Sequence, residues 1–381
     1  MDVVSWTLAA LLALLFYAQA GYPLLMAALA RLRPKLLRPT GPPVCALSIV
    51  VCARNAGEAI VKRLRNLLAC EWRGELEILV YCDGCSDATA VLAASLGDPR
   101  VRVIAGHVPL GKALALNAAV PLCRHPLVVL CDVRQRFETQ TLQRLAAPFA
   151  DPEVAAVSGR LEIAASAAGG GQGVDLYWRI ERKLREWESR YDSVIGCTGA
   201  VCAIRRDAFE PLEPGTLLDD VIIPMCLAAR GGRVLFEPQA LAFDPQPLDP
   251  GRERVRKLRT LVGNYQMLAR HPEWLLPWRH RLWWQLLSHK YLRLAVPWLL
   301  IGIAVLTALA PRSGWTLGLA VGQILAYACA LLGLALPRVR WKLLTVPAGF
   351  LLLQWSCLCA FFAYLAHRRD LRALWPASPH P

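Results

Sequence analysis

Three aspartates each close or follow a short apolar run: Asp83 after Leu76–Cys82, Asp132 after Leu127–Cys131, and Asp220 within Leu217-Leu218-Asp219-Asp220-Val221. An ionised carboxylate accepts hydrogen bonds, holds hard cations and can take a proton from an attacking hydroxyl. Apolar runs alternating with helical stretches predict buried parallel strands, and ligands in open α/β sheets lie outside the carboxyl ends of such strands. The three acids are therefore expected to share one cleft.

The elements that must position them follow from periodicity. A first strand is expected over Ala46–Cys52, then a helix over Gly57–Ala69 with Ile60, Leu64, Leu67 and Leu68 on one face. The strand ending before Asp83 leads to Ser86-Asp87, which offer caps for a helix through Ala90–Leu96. A strand over Val101–Ile104, a helix over Gly111–Val120 and the strand Leu127–Cys131 continue the alternation. Beyond a strand at Val154–Ser158, the small residues of Ala164–Gly173 predict a surface loop, and a charged helix follows over Val174–Asp192. Asp219 and Asp220 precede a helical stretch, Ile222–Arg230, where acids also favour the N-terminus, so capping and chemistry are both open to them.

Composition adds a membrane. The chain has 381 residues, 55% hydrophobic, with a formal net charge of +14 and a mean hydropathy of +0.36, too apolar for an ordinary soluble enzyme. No charge interrupts Val3–Ala30, long enough for an anchor and too long for a cleaved leader. Three further apolar stretches, Leu294–Ala310, Trp315–Leu336 and Leu343–Ala366, bring the expected spans to four. Basic residues after the first span (Arg31, Arg33, Lys35, Arg38) and before the second (Arg279, Arg281, Lys290, Arg293) place the middle region in the cytoplasm by the positive-inside rule. Four crossings would then put the basic segment His367–Asp370 on the opposite side, against that rule. The basic residues cluster beside apolar spans rather than in an aromatic-interleaved stripe, which favours membrane lipid and anionic substrate over nucleic acid. Trp274, Trp278, Trp283 and Trp284 among Leu, Arg and His predict an interfacial segment. The 13 cysteines fit small buried residues of a reducing compartment, and Cys82-Asp83-Gly84-Cys85 is a weak zinc or redox signal.

The order of these motifs resembles membrane-bound family 2 glycosyltransferases related to bacterial polysaccharide synthases. The segments are Ser48-Ile49-Val50-Val51-Cys52-Ala53-Arg54-Asn55, Asp83-Gly84-Cys85-Ser86-Asp87, Gly111-Lys112 with Asn117, Asp132-Val133-Arg134, and Leu218-Asp219-Asp220. The resemblance implies an α/β GT-A fold, Rossmann-like with a mostly parallel sheet, as a cytosolic domain between an N-terminal transmembrane helix and a C-terminal transmembrane bundle. The expected organisation is an anchor over 1–31, the GT-A domain over 44–250, interfacial helices over 251–293, three spans over 294–366 and a tail over 367–381. The expected location is the inner cell membrane.

The resemblance also implies roles. Ala53, Arg54, Asn55 and Asp83 would border the base of a nucleotide-diphosphate sugar such as a UDP-sugar, and Lys112 would reach its diphosphate. Asp132 would bind a divalent cation, Mg²⁺ or Mn²⁺, but the usual D-x-D has Arg134 at its second acidic position, which puts the metal in question. Arg134 either forks onto phosphate oxygens or pairs with a neighbouring acid. Asp220 would be the general base of an inverting displacement, with Asp219 and Gly199 on the acceptor side. Arg256 and Arg259 stand where processive relatives keep a Q-x-x-R-W segment, but Thr260 replaces its tryptophan, so processive synthesis is not expected. The implied acceptor is a membrane-associated saccharide or lipid-linked group in cell-surface polysaccharide synthesis. The alternatives are a transferase acting on polyprenyl phosphate, or a scaffold or transport component with a decayed enzyme domain.

Overall fold

In the computed structural model residues 2–163, 172–244, 250–336, 339 and 341–374 are described. The glycine-rich loop expected before the charged helix, the prolines after Asp244, and the tail beyond residue 374 lie outside them.

One eight-stranded sheet organises the middle of the chain: β1 (Ala46–Ala53), β2 (Glu75–Cys82), β3 (Val101–Ala105), β4 (Leu127–Cys131), β5 (Arg136–Phe137), β6 (Val154–Ile163), β7 (Cys202–Arg205) and β8 (Arg233–Asp244), in the order β3-β2-β1-β4-β7-β6-β8-β5. The half built from β3, β2, β1 and β4 is parallel, as alternating helices require. β6 pairs parallel with β8, while β7 runs antiparallel to both β4 and β6 and β5 antiparallel to β8, so the expected mostly parallel sheet carries a mixed second half.

Alternation along the strands divides the core. Val50, Leu79, Val128 and Leu130 face the layer that holds the helices Lys112–Ala119 and Asp219–Ala229. Ile49, Val51, Ile78, Val80 and Val129 face the other, where Ile60, Leu64 and Leu67 of the Glu58–Leu68 helix cover them. Ala53 pairs with Cys82 and Val51 with Cys131, so the parallel strands end at one edge of the sheet. Asp83 and Asp132 follow those ends directly.

Among the described residues four helices are long and apolar enough to cross a membrane: Val3–Leu32, Trp283–Leu309, Gly314–Ala335 and Lys342–His367. The second begins at Trp283, well before the expected Leu294. Its charges are accommodated by pairing with the Gln172–Tyr191 helix: His289 meets Glu188 at 2.8 Å and Glu181 at 2.7 Å, and Arg293 meets Glu181 at 2.7 Å. The π-helical turns Tyr17–Gly21 and Leu286–Tyr291 adjoin this cluster, with the Tyr17 and Ser288 hydroxyls 2.8 Å apart. Of the expected interfacial tryptophans, Trp274 is instead a core residue stacked on His271, whereas Trp278 is 75% exposed.

Candidate active site

Asp83 closes β2 with its carboxylate buried. Its two oxygens accept the backbone N–H groups of Leu110 at 2.7 Å and Gly111 at 2.9 Å, and its own N–H donates to the Ala53 carbonyl at 2.8 Å. Asp83 thereby ties the ends of β1 and β2 to the turn that starts the Lys112 helix. Gly111 has a φ of +86°, a conformation that suits glycine there. Asn55, also at positive φ, locks the β1 end to Ser86 through its side-chain amide, which donates to the Ser86 hydroxyl at 3.0 Å and accepts the Ser86 N–H at 2.8 Å. Arg54 is exposed beside it.

The centre of the site is Lys112. Its ammonium lies 3.0 Å from Asp132 Oδ1 and 3.0 Å from Asp219 Oδ2, bridging the end of β4 to the first turn of the Asp219–Ala229 helix. Burial alone would lower the Lys112 pKa, but the two carboxylates outweigh it and hold the ammonium well above its ordinary value. Asp219 and Asp220 begin that helix without capping it, since Leu218 is its N-cap and no side chain bonds there. Burial first, then the Asp219 charge, pushes the Asp220 carboxyl up to about 6, against the opposing charges of Lys112 and Lys290. Such a group is ionised at neutral pH yet basic enough to take a proton.

Gly199 lies against this pair. A Cβ there would stand 3.2 Å from Asp220 Cβ and 3.4 Å from Lys112 Nζ. Its loop is fastened to Asp220 by the Cys197 N–H, which donates to the Asp220 carbonyl at 2.7 Å. Lys112, Asp132, Asp219, Asp220 and Gly199 thus converge, with Asp83 holding the turn beneath Lys112. Arg134 turns away and pairs with Asp244. Arg256 and Arg259 are exposed on the Pro250–Arg270 helix, outside the ion pairs that join Lys112 to its carboxylates. That helix reaches the site through its middle: Gln266 accepts the Leu217 N–H at 3.0 Å, and Gly263 leaves room for Leu218.

Two residues escaped the sequence reading. Lys290, counted there as a topology signal, places its charge near Asp220 from the second apolar helix; a lysine within an apolar stretch was the available clue. Arg185 donates to the Ser158 hydroxyl at 2.7 Å and the Thr198 hydroxyl at 3.1 Å and lies 4.4 Å from the Phe236 ring centroid, holding the Gly199 loop from behind. No local spacing announces that contact. Asn117 is structural: its side chain exchanges hydrogen bonds with the Leu212 backbone at 2.7 and 2.8 Å.

A divalent cation was tested against these donors. Among the described residues no three His, Cys, Asp or Glu side chains gather to hold a metal. Asp132 is 40% exposed and can still offer one hard carboxylate. A cation that keeps its water and shares phosphate oxygens with a donor needs no more than one or two protein carboxylates, so this set fits it in that limited way.

A mixed sheet with acids at its strand ends, flanked by apolar helices, defines a GT-A-type glycosyltransferase. Residues 42–263 match Glycosyltransferase like family 2, and the chain belongs to that family. Among curated proteins it is 26% identical over 242 residues to an N-acetylglucosaminyltransferase of Rhizobium meliloti (strain 1021), covering 57% of this chain and 56% of that protein. It is 22% identical over 231 residues to the poly-beta-1,6-N-acetyl-D-glucosamine synthase of Staphylococcus aureus (strain COL), covering 59% of this chain and 56% of that one. The chain therefore spans little more than half the length of these curated relatives. A mannosyltransferase from Pyrobaculum calidifontis, solved with GDP-Man and Mn²⁺, superposes with a TM-score of 0.71 at 21% identity, covering 95% of this chain and 99% of that one. That likeness establishes the fold across the sheet and the apolar helices together.

Proposed function

We propose that this membrane glycosyltransferase transfers a sugar, with inversion, from a nucleotide-diphosphate donor, a UDP-sugar, to a membrane-associated saccharide or lipid-linked acceptor in cell-surface polysaccharide synthesis. The observation that carries this reading is the bridge of Lys112 between Asp132 and Asp219, with Asp220 and Gly199 against it. A cation beside a carboxylate tuned toward neutrality supports this reading, because a departing diphosphate needs the one and an attacking hydroxyl the other.

In this mechanism the acceptor hydroxyl oxygen forms a bond to the anomeric carbon as the bond from that carbon to the diphosphate oxygen breaks. Asp220 takes the hydroxyl proton, and the electron pair leaves with the nucleoside diphosphate. Lys112 meets the charge that develops there, where an oriented cation contributes more than in water. Asp83, Ala53, Arg54 and Asn55 form the end of the sheet where the base would lie, and the spare lone pairs of Asp83 suit an imide N–H. Arg256 and Arg259 would approach the diphosphate only with a shift of their exposed side chains. A divalent cation held by Asp132 would supply further neutralisation of the diphosphate when bound.

The basic residues flanking the first two spans support a cytoplasmic catalytic region in an inner cell membrane. The experiment is release of nucleoside diphosphate by the purified chain in a bilayer, given UDP- and GDP-sugars with lipid-linked acceptors. UDP release confined to UDP-sugars and dependent on acceptor supports the reading. No release with any donor overturns it.

A further inference from the structure

Away from the Lys112 cluster, a cavity of about 490 Å³ opens where the first two apolar helices meet the sheet domain. Lys35, Asp192, Arg281, Trp283 and Trp284 are among the residues that line it. Lys35 lies just past Leu32, where the first apolar helix ends, and Trp283 opens the second. Tryptophans at the edge of an apolar span occupy the headgroup layer, so the cavity sits at that depth.

Its polar groups are unevenly satisfied. Arg281 is fixed by the protein: it donates to the Ala228 carbonyl at 3.1 Å, the Ser193 hydroxyl at 3.0 Å, the Gly232 carbonyl at 2.6 Å, and Asp192 Oδ2. The other oxygen, Asp192 Oδ1, is buried and accepts no hydrogen bond. The Lys35 ammonium stands 4.0 Å from it and is bonded instead to Glu153 at 2.7 Å, leaving a side chain 43% exposed. A buried carboxylate oxygen without a donor is costly, which marks a place for an N–H group from outside the chain.

We propose that this cavity seats the headgroup of a phosphatidylethanolamine-type lipid. The phosphodiester lies on Lys35, and the primary ammonium donates to Asp192 Oδ1 beside the faces of Trp283 and Trp284. Charge balance selects a zwitterion: Lys35 and Arg281 are already matched by Glu153 and Asp192, so an anionic headgroup gains no net attraction while a zwitterion keeps the balance. Hydrogen bonding selects the primary amine, because a choline headgroup carries no N–H to give Asp192. The ring faces favour any cation and do not discriminate between the two. The site is independent of the donor site, and its failure leaves the proposed transfer reaction untouched.

The test uses the full chain in nanodiscs containing equal phosphatidylethanolamine, phosphatidylcholine and phosphatidylglycerol, with retained lipid identified by native mass spectrometry. A hydrogen bond to a charged group predicts retention of the ethanolamine lipid about tenfold over the choline lipid. Mono- and dimethylated ethanolamine lipids, tested on the unaltered protein, should fall between them in order. Lys35→Ala should lower retention of the ethanolamine and choline lipids alike, because both carry the phosphodiester, and Trp278→Ala, outside the cavity, should leave retention intact. Equal retention of the choline lipid, preference for the glycerol lipid, or unchanged lipid retention in Lys35→Ala overturns the assignment.

Discussion

Arg134 stands two residues beyond Asp132, yet its guanidinium is paired with the carboxylate of Asp244, at the end of β8 and 2% exposed. The positive charge that replaces the second acid of D-x-D is thus held inside the fold, and of those two positions only Asp132 meets Lys112. Removing one partner of a buried ion pair costs about 3–5 kcal/mol, and the 37% exposure of Arg134 reduces that to about 2 kcal/mol for Arg134→Ala. Adding Asp244→Asn should recover part of the loss, because the stranded charge disappears. Denaturant midpoints of the single and double variants measure it, and additive losses would show that the pair is not coupled.

As the proposed base, Asp220 should set the acid side of the pH profile. Its carboxyl titrates at about 6, raised from the ordinary value, so the proton-accepting form is present above that pH and lost below it. The kcat/KM for UDP release should rise with pH through a limb near 6 and then level. Asp220→Asn should remove the limb and lower turnover by ~10²–10⁴-fold while donor affinity persists. A variant retaining most of its rate would move the acceptor toward one already anionic, which needs no base.

Lys112 acts on the same limb with the opposite sign. Its positive charge holds the Asp220 pKa down against burial and Asp219. In Lys112→Met the limb should therefore shift to higher pH, and the KM for donor should rise because the diphosphate loses its cation. The two readouts separate the roles: an unmoved limb with a raised KM would confine Lys112 to donor binding.

Asp132 is the carboxylate proposed to share a divalent cation with the donor. Chelator should lower UDP release by tenfold or more on the order expected of charge neutralisation, and Mn²⁺ should restore it. In Asp132→Asn the Mn²⁺ concentration giving half-maximal rate should rise. Full activity in chelator would assign the neutralising charge to Lys112 alone.

Much of this was legible in the chain because strand ends are local. Apolar runs such as Leu127–Cys131 fix where the sheet stops, so Asp83 and Asp132 could be placed at strand ends from spacing, whereas Asp220 stands in the first turn of a helix and was reached only through the order of the motifs. What spacing does not carry is pairing across distance. Asp244 meets Arg134 from 110 residues away, and Arg185 reaches Ser158 and Thr198 only after β6 and the Gln172–Tyr191 helix have folded side by side. The helix that carries the second apolar stretch begins ahead of that stretch for the same reason: His289 and Arg293 look like a boundary until Glu181 and Glu188 neutralise them.

Gly199 tests whether the loop proposed for the acceptor side must touch Asp220, the proposed base. Its φ is not in the left-handed region, so alanine there meets no backbone penalty, and the whole effect comes from what its Cβ touches. Those neighbours are Asp220 Cβ at 3.2 Å and Lys112 Nζ at 3.4 Å. The lysine end can yield, but Asp220 is held by its helix and by the Cys197 N–H on its carbonyl, so the added methyl displaces the carboxylate from its line to the acceptor. Gly199→Ala should therefore lower kcat by about tenfold or more, since a small misplacement of a reacting group is enough, with donor KM nearly unchanged. A loss seen chiefly in donor KM would instead place the loop against the nucleotide.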